Sequence, residues 1–375
     1  MLLANTALTT GRGDYVSSES GTFDDDDLEW AERSEHWQAE SRAAISTRAK
    51  RQREDRPLIL CGHGVALRIQ DGTLHVRDGF THHPQKQETY RFFRGDRALP
   101  SRIIMVDGSG SLSFEVLAWL AEQGVALIRV DWKGEALSVL AGHGYAADRA
   151  KVQWQIDTRA DNRQRMIFST DVISRKLTRS IETLETAFAP SRRRDSAIAK
   201  ARGGVARLKS RPPADMTALR LVEAMCASAY FGAWRGLEMN WKATARHPIP
   251  DDWQTYTSRG SLANDKARNI NASHPLNAML NYAYGVLQSQ LQVRAVADGY
   301  DPTIGIMHHG RRDAPAYVFD VMEPERPKVD AAILAFIAGQ TFSGADFAIR
   351  EDGVCRLSPQ LARRVCALGA QVISV

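Results

Sequence analysis

From Leu58 onward the chain alternates apolar and polar residues. The stretch LILCGHGVALRIQDGTLHVRDG does so around Asp71-Gly72, a dipeptide suited to a tight turn, and predicts a β-hairpin. SRIIMVDG predicts a strand, SFEVLAWLAEQG a helix closed by Gly124, and VALIRVDWKGEAL a strand, a turn and a second strand. Residues 57–143 therefore read as a small β-rich domain with one helix. After Tyr145 the apolar spacing lengthens to that of a helix, through RAKVQWQIDTRADNRQRMIFSTDVISRKLTRSIETLETAFA, TALRLVEAMCASAYFGAWRGLEMNW and PLNAMLNYAYGVLQSQLQVRAVADG. Residues 144–375 read as a larger, mainly α-helical domain, which makes the fold class α+β. SRRRDSAIAKARGGVARLKSRPPADM, between the first two helical stretches, is rich in Arg, Lys, Gly and Pro and reads as a loop or mobile basic segment. No internal repeat is visible.

Residues 1–56 have a different texture. A Ser/Thr/Gly stretch, the acidic run Asp24 to Asp27 and a charged segment leave few large apolar side chains, too few to offset the entropy of ordering the backbone. The expectation is a flexible N-terminal extension carrying at most one exposed helix.

A chain of 375 residues with 43% hydrophobic content can bury one large core or two moderate ones. The formal charge of +5 permits an acidic polymer as partner without demanding one. The four cysteines form no CxxC pair, so neither a zinc framework nor a secreted disulfide scaffold is indicated. The N-terminus has no basic region ahead of a long apolar stretch, and no apolar run of about 18 residues follows. A soluble, cytoplasmic protein with reduced thiols is expected.

Two places in the helical region hold residues out of keeping with their surroundings. Leu219, Val222, Cys226, Ala229, Tyr230 and Ala233 recur at helical spacing, and Glu223 lies on the edge of that stripe. An ionised carboxylate among apolar groups needs an ion pair, a raised pKa or a bound cation, and all three remain open. The second place is IGIMHHGRRDAPAYVFDVMEPERP, where His308 and His309 precede a polar turn and a strand-like run, YVF, that delivers Asp320 and Glu323. Three residues apart on one helical turn, these two carboxylates could converge on one cation; equally, Asp320 could cap a helix and Glu323 be solvated. Adjacent histidines in an extended segment point to opposite sides, so at most one is a ligand. Gly62-His63-Gly64 and Gly108-Ser109-Gly110 lack the third glycine of a dinucleotide fingerprint and read as turns. There is no GxSxG elbow and no HExxH helix, which argues against a serine hydrolase or a zincin. Arg192, Arg193, Arg194, Lys200 and Arg202 could neutralise phosphates or simply be solvated.

The order of these pieces resembles a known family. LVEAMCASAYFGAW resembles its glutamate-bearing helix, HPLNAMLNYAYGVL its D-P-x-N-A-x-L-x-Y-x-Y-x-x-L helix, GIMH at 305–308 its G-x-x-H element and FDVMEPERP its D-x-M-E-P-x-R-P element. The family is CRISPR-associated protein one, the integrase of CRISPR adaptation, and the resemblance covers roughly residues 57–370. It implies a metal-dependent DNA endonuclease and integrase, with Glu223, His308 and Glu323 as ligands of Mg²⁺ or Mn²⁺ and Asp320 as a supporting acidic neighbour. It implies a homodimer acting on double-stranded DNA with CRISPR-associated protein two. The chain departs from the pattern in residues 1–56, in His274 where an aspartate usually precedes Pro275, and in Glu325 where an aromatic is usual. An integrase of a mobile element and a non-catalytic DNA-binding scaffold are the competing readings.

Overall fold

A computed structural model describes residues 25–44, 57–82, 85–131, 134–140, 148–259, 272–308, 314–351 and 353–372. The first strands are β1 (Leu58–Gln70), β2 (Thr73–Arg77) and β3 (Thr89–Phe92), followed by β4 (Arg102–Leu112), helix α2 (Phe114–Glu122), β5 (Ala126–Val130) and β6 (Ala136–Leu140). They form one six-stranded sheet in the order β3-β2-β1-β4-β5-β6. The hairpin turns at Asp71-Gly72, with Gln70 opposite Thr73. The parallel pairs β1/β4 and β4/β5 lie at the centre and antiparallel pairs lie outside. GHG and GSG are not turns. They lie inside β1 and β4, where the register shifts twice between Cys61 and Val65. Gly62 and Gly108 sit at φ +84° and +106°, and a Cβ on Gly108 would come within 2.0 Å of the Gly62 carbonyl oxygen, so two bare backbones make this bulge.

Both faces of the sheet are covered, because alternate residues of each strand serve different cores. Leu60, Leu67, Leu74, Val76 and Ile103 pack with Val116, Trp119 and Leu120 of α2. Ile59, Cys61, Ile104, Val106, Ile128 and Val130 face the other way and join the large core of the helical region. That region contains α3 (Arg149–Ala160), α4 (Asn162–Ala187), α5 (Arg192–Ser210), α6 (Met216–Ala233), α7 (Pro275–Ala297), α8 (Ala316–Met322), α9 (Arg326–Gly339) and α10 (Pro359–Gln371). Two small ladders, β7 (Asn240–Trp241) with β8 (Thr341–Phe342) and β9 (Phe347–Ile349) with β10 (Cys355–Leu357), complete it. Helices α7 and α10 pack on each other and against the sheet. At one contact a Cβ on Gly285 of α7 would stand 1.5 Å from the Gly134 carbonyl oxygen, so the turn before β6 docks directly on helix backbone.

Three further expectations from the sequence are corrected. The basic segment 192–211 is not a loop: Ser191 caps α5, whose side chains Ala197, Ile198, Ala201 and Leu208, together with Gly204, are buried at helical spacing. The run YVF is the middle of α8, not a strand. Residues 25–43 are not an appendage but helix α1 (Asp25–Ala43), whose buried face consists of Glu29, Arg33, Ser34, Trp37 and Gln38. Trp37 is fully buried between Phe336 and Phe342, and its indole N–H donates to Asp346 at 2.8 Å. Arg33 reaches the same carboxylate through Nε at 3.0 Å and Nη2 at 2.9 Å. This face is mostly polar, so it carries no apolar stripe to read, yet its polar groups are paired over long range, Arg33 with Asp346 and Glu29 with Ser343 across more than 300 residues, Ser34 with Thr81 and Gln38 with Glu88 across about 50.

All four cysteines are free and buried. Among the described residues no helix is long and apolar enough to cross a membrane.

Candidate active site

The long helix α4 packs against α5, α6, α8 and α9. Its buried side chains Val172, Ile173, Leu177, Ser180 and Leu184 face these neighbours, and Lys176 lies among them with a side chain 16% exposed. Two carboxylates meet on its ammonium. Nζ donates to Glu223 Oε1 of α6 at 2.5 Å and lies 2.6 Å from Glu323 Oε2, which follows α8. Of the three outcomes open to Glu223, the structure shows the ion pair.

Glu323 is buried, and Arg326 Nη1 stands 3.1 Å from its second oxygen. Burial opposes ionisation of this carboxyl, but the Arg326 and Lys176 charges outweigh it and hold the pKa down at about 2. The same balance raises the Lys176 pKa: burial disfavours the ammonium, and the Glu323 and Glu223 charges more than compensate. Glu323 Oε2 has no hydrogen bond of adequate geometry despite its closeness to Nζ, which leaves a buried carboxylate oxygen held by charge alone.

Asp320 and Glu323 do not converge. Asp320 is fully buried and turns to the segment before α8, accepting hydrogen bonds from the backbone N–H groups of Ile306 (2.6 Å), Met307 (3.0 Å) and His308 (2.8 Å). Its Oδ1 also lies 2.8 Å from His308 Nδ1. A carboxylate only accepts, so Nδ1 carries the hydrogen and Nε2 of the neutral ring keeps its lone pair. The His308 ring is 40% exposed, and in its protonated form its charge favours the ionised form of Glu323. Among the described residues no three His, Cys, Asp or Glu side chains are gathered closely enough to hold a metal ion as they stand. His309 lies outside the described residues.

Behind the carboxylate pair is a cavity of about 420 Å³ lined by Lys176, Glu223, Arg259, Tyr284, Arg326 and Asp330 among others. Asp330 is buried and accepts hydrogen bonds from Tyr230 Oη at 2.9 Å and from Tyr284. Burial raises its pKa to about 6, against the opposing pull of the two phenols and of Arg259 and Arg326. Those two guanidinium groups lie over the Tyr284 ring at 5.4 and 5.6 Å.

Lys176, Arg326 and Asp330 were not singled out from the sequence. The signal for Lys176 was present, since it falls three residues after Ile173 on an apolar stripe, as Glu223 does on its own helix. Of the basic candidates, Arg193 donates to the Arg235 carbonyl, Arg194 to the Phe188 carbonyl and Arg202 to Glu185, while Arg192 and Lys200 are exposed on α5. Two of the departures, His274 and Glu325, are also accounted for structurally. His274 caps α7 by accepting from the Leu276 N–H at 3.1 Å, and Glu325 pairs with Arg179 at 2.5 Å and Lys328 at 3.0 Å.

The family model described as CRISPR associated protein Cas1 matches residues 58–368. A CRISPR-associated endonuclease Cas1 of Pyrobaculum aerophilum is 35% identical over 106 residues, which are 26% of this chain and 35% of that protein, so the chain spans about a third of that relative's length. A CRISPR-associated endonuclease Cas1 of Korarchaeum cryptofilum is 24% identical over 299 residues, covering 76% of this chain and 78% of the relative. Among solved structures, a casposase bound to integration product shares the fold with a TM-score of 0.69 at 21% identity, over 85% of this chain and 82% of the casposase chain. A Cas1 protein from Thermotoga maritima does so with a TM-score of 0.57 at 13% identity, over 80% and 84%. The motifs seen in the sequence thus lie within a match that takes in the sheet, the carboxylate pair and the closing helix, and the chain belongs to the CRISPR-associated protein Cas1 family.

Proposed function

We propose that this protein is a metal-dependent DNA endonuclease and integrase of CRISPR adaptation, which joins the 3′-hydroxyl ends of a spacer precursor to repeat DNA by phosphodiester transesterification. The observation that carries this reading is the meeting of Glu223 and Glu323, from separate helices, on a single cation, in a member of the Cas1 family. Two carboxylates and an imidazole form a donor set suited to Mg²⁺ or Mn²⁺, and the buried Glu323 Oε2, with no directed hydrogen bond, fits a ligand atom. Glu223, His308 and Glu323 would hold the ion. When bound, it would polarise the scissile phosphodiester and stabilise the charge that develops on it.

The remaining tasks fall to the chain itself. Asp320 sets the tautomer of His308 and fixes the backbone that carries it. Arg326 keeps Glu323 ionised. Arg192 and Lys200, exposed on α5, would meet phosphates. A hydroxyl nucleophile gives joining and water gives cleavage. The curated relatives named as Cas1 endonucleases support nuclease chemistry, and the casposase bound to integration product supports joining. A likeness to a chain of a Cas6-RT-Cas1–Cas2 complex, TM-score 0.60, supports Cas2 as partner. A cytoplasmic homodimer on double-stranded DNA completes the reading.

The test incubates the protein with a supercoiled plasmid carrying repeats and a duplex with free 3′-hydroxyls, with and without Mn²⁺ and with and without Cas2. Joined products should require Mn²⁺ and vanish in Glu223→Ala, His308→Ala and Glu323→Ala proteins that remain folded. Joining that persists in all three would refute the assignment. The casposase likeness favours one alternative, an integrase of a mobile element, which joining indifferent to the repeat would support.

A further inference from the structure

We infer that Lys176 is a tethered counter-cation that holds the Glu223–Glu323 pair together until a divalent ion takes its place, so that the ion and the ammonium compete for the same carboxylate oxygens. This rests on the metal reading above. The geometry leaves little room for both. Nζ is 2.5 Å from Glu223 Oε1 and 2.6 Å from Glu323 Oε2. A divalent ion held by these two carboxylates would have to take the space between them that Nζ now fills. The two cations would occupy overlapping volumes.

Charge leads to the same conclusion. Lys176 and Arg326 together balance Glu223 and Glu323, and Arg326 is engaged with the other oxygen of Glu323. A dication added while the ammonium stayed would set like charges in near contact at a site where Glu323 is 4% exposed and Lys176 16%. Repulsion between them is several times stronger there than in bulk water. Arg326 is poorly placed to be the cation that leaves, because its guanidinium lies over the Tyr284 ring as well as against Glu323. Lys176 has a flexible four-carbon stem and can withdraw from the carboxylates without any change in α4.

The ammonium also does something useful in the metal-free protein. Two carboxylates on separate helices would otherwise face each other across a half-buried gap, and repulsion would drive them apart or raise the pKa of one. Lys176 keeps them in register for the ion that follows.

The experiment measures Mn²⁺ affinity directly, by loss of the electron paramagnetic resonance signal of free Mn²⁺, and melting temperature with and without Mn²⁺, on the full chain. Lys176→Met keeps the stem and removes the charge. The inference expects Lys176→Met to bind Mn²⁺ about tenfold or more tightly than wild type, to melt lower without metal and to gain more from Mn²⁺ than wild type does. Lys176→Arg, which keeps the charge, should gain no affinity. If Lys176→Met folds poorly, Lys176→Gln, whose amide can still donate to a carboxylate, takes its place with the same expected tightening. Affinity unchanged or weakened in a folded, uncharged variant, beside a wild type that binds Mn²⁺, would overturn the counter-cation role and leave the metal reading standing. A wild type and variants that all fail to bind Mn²⁺ would overturn both.

Discussion

Replacing Asp320 with alanine should cost more than a supporting residue in an enzyme site usually does. Its carboxylate accepts three backbone N–H groups in succession, from Ile306, Met307 and His308, as well as His308 Nδ1, and it is fully buried. Hydrogen bonds to a charged acceptor contribute roughly 1.5–3 kcal/mol each, and a buried donor left without a partner costs roughly 1–3 kcal/mol. Ile306 and Met307 are themselves buried, so water cannot easily replace the lost acceptor at their amides. The four bonds form one network and do not add, and breaking buried charged networks typically costs about 3–5 kcal/mol. Asp320→Ala should therefore lower the melting temperature by about 4–6 °C. Asp320→Asn keeps one acceptor oxygen but turns an amide donor towards other donors, so it should fall between. Melting followed by far-ultraviolet circular dichroism measures the loss, and metal-dependent cleavage at a temperature where both proteins are folded measures the chemistry. An Asp320→Ala protein that melts within 1 °C of wild type would refute the reasoning, because it would mean that the three amides find other partners.

Trp37→Ala should destabilise the protein by about 3–5 kcal/mol, since it empties a fully buried site between Phe336 and Phe342 and strips Asp346 of a donor; urea unfolding that leaves stability within 0.5 kcal/mol would return α1 to the status of an appendage. His274 carries a pH dependence of definite sign. Burial lowers its pKa from 6.5 to about 4, so the unfolded chain takes up a proton between those values and the folded chain does not. The contribution is fully present above pH 6.5 and is lost as pH falls towards 4, amounting to about 3 kcal/mol at its limit. Asp330, raised to about 6, titrates in the same window with the opposite sign, so the measurement is the difference between wild type and His274→Asn. Unfolding midpoints of the two proteins should diverge between pH 7 and pH 4 in that sense, and parallel curves would exclude the role of His274.

The hairpin at Asp71-Gly72, the helix ended by Gly124 and the long helices of the second half were legible because each rests on spacing within one segment: period two for a strand with a buried face, period 3.6 for a helix, and a turn residue at each end. Glu223 was legible for the same reason, as a charge on the edge of an apolar stripe. The motif order carried the family. Three things were decided only by the fold. Helix α1 is held by Trp37 and by polar side chains, Glu29 and Arg33 among them, whose partners lie more than 300 residues away, and a polar helix gives no sign of its burial until Asp346 is brought beside it. Helix α5 hides a narrow stripe of small and aliphatic residues among arginines and lysines, which becomes a packing face only against α4 and α6. Spacing left open whether Asp320 and Glu323, three residues apart, share a cation or serve as a cap and a solvated charge, and the protein does neither: it sends one to the amides of residues 306–308 and the other to Lys176 and Arg326. Local spacing fixes which side of a helix a residue occupies. Which charge it meets there depends on the elements packed against that side, and Lys176 reaches the two carboxylates because the packing of α4 against α6 and α8 brings them to one place.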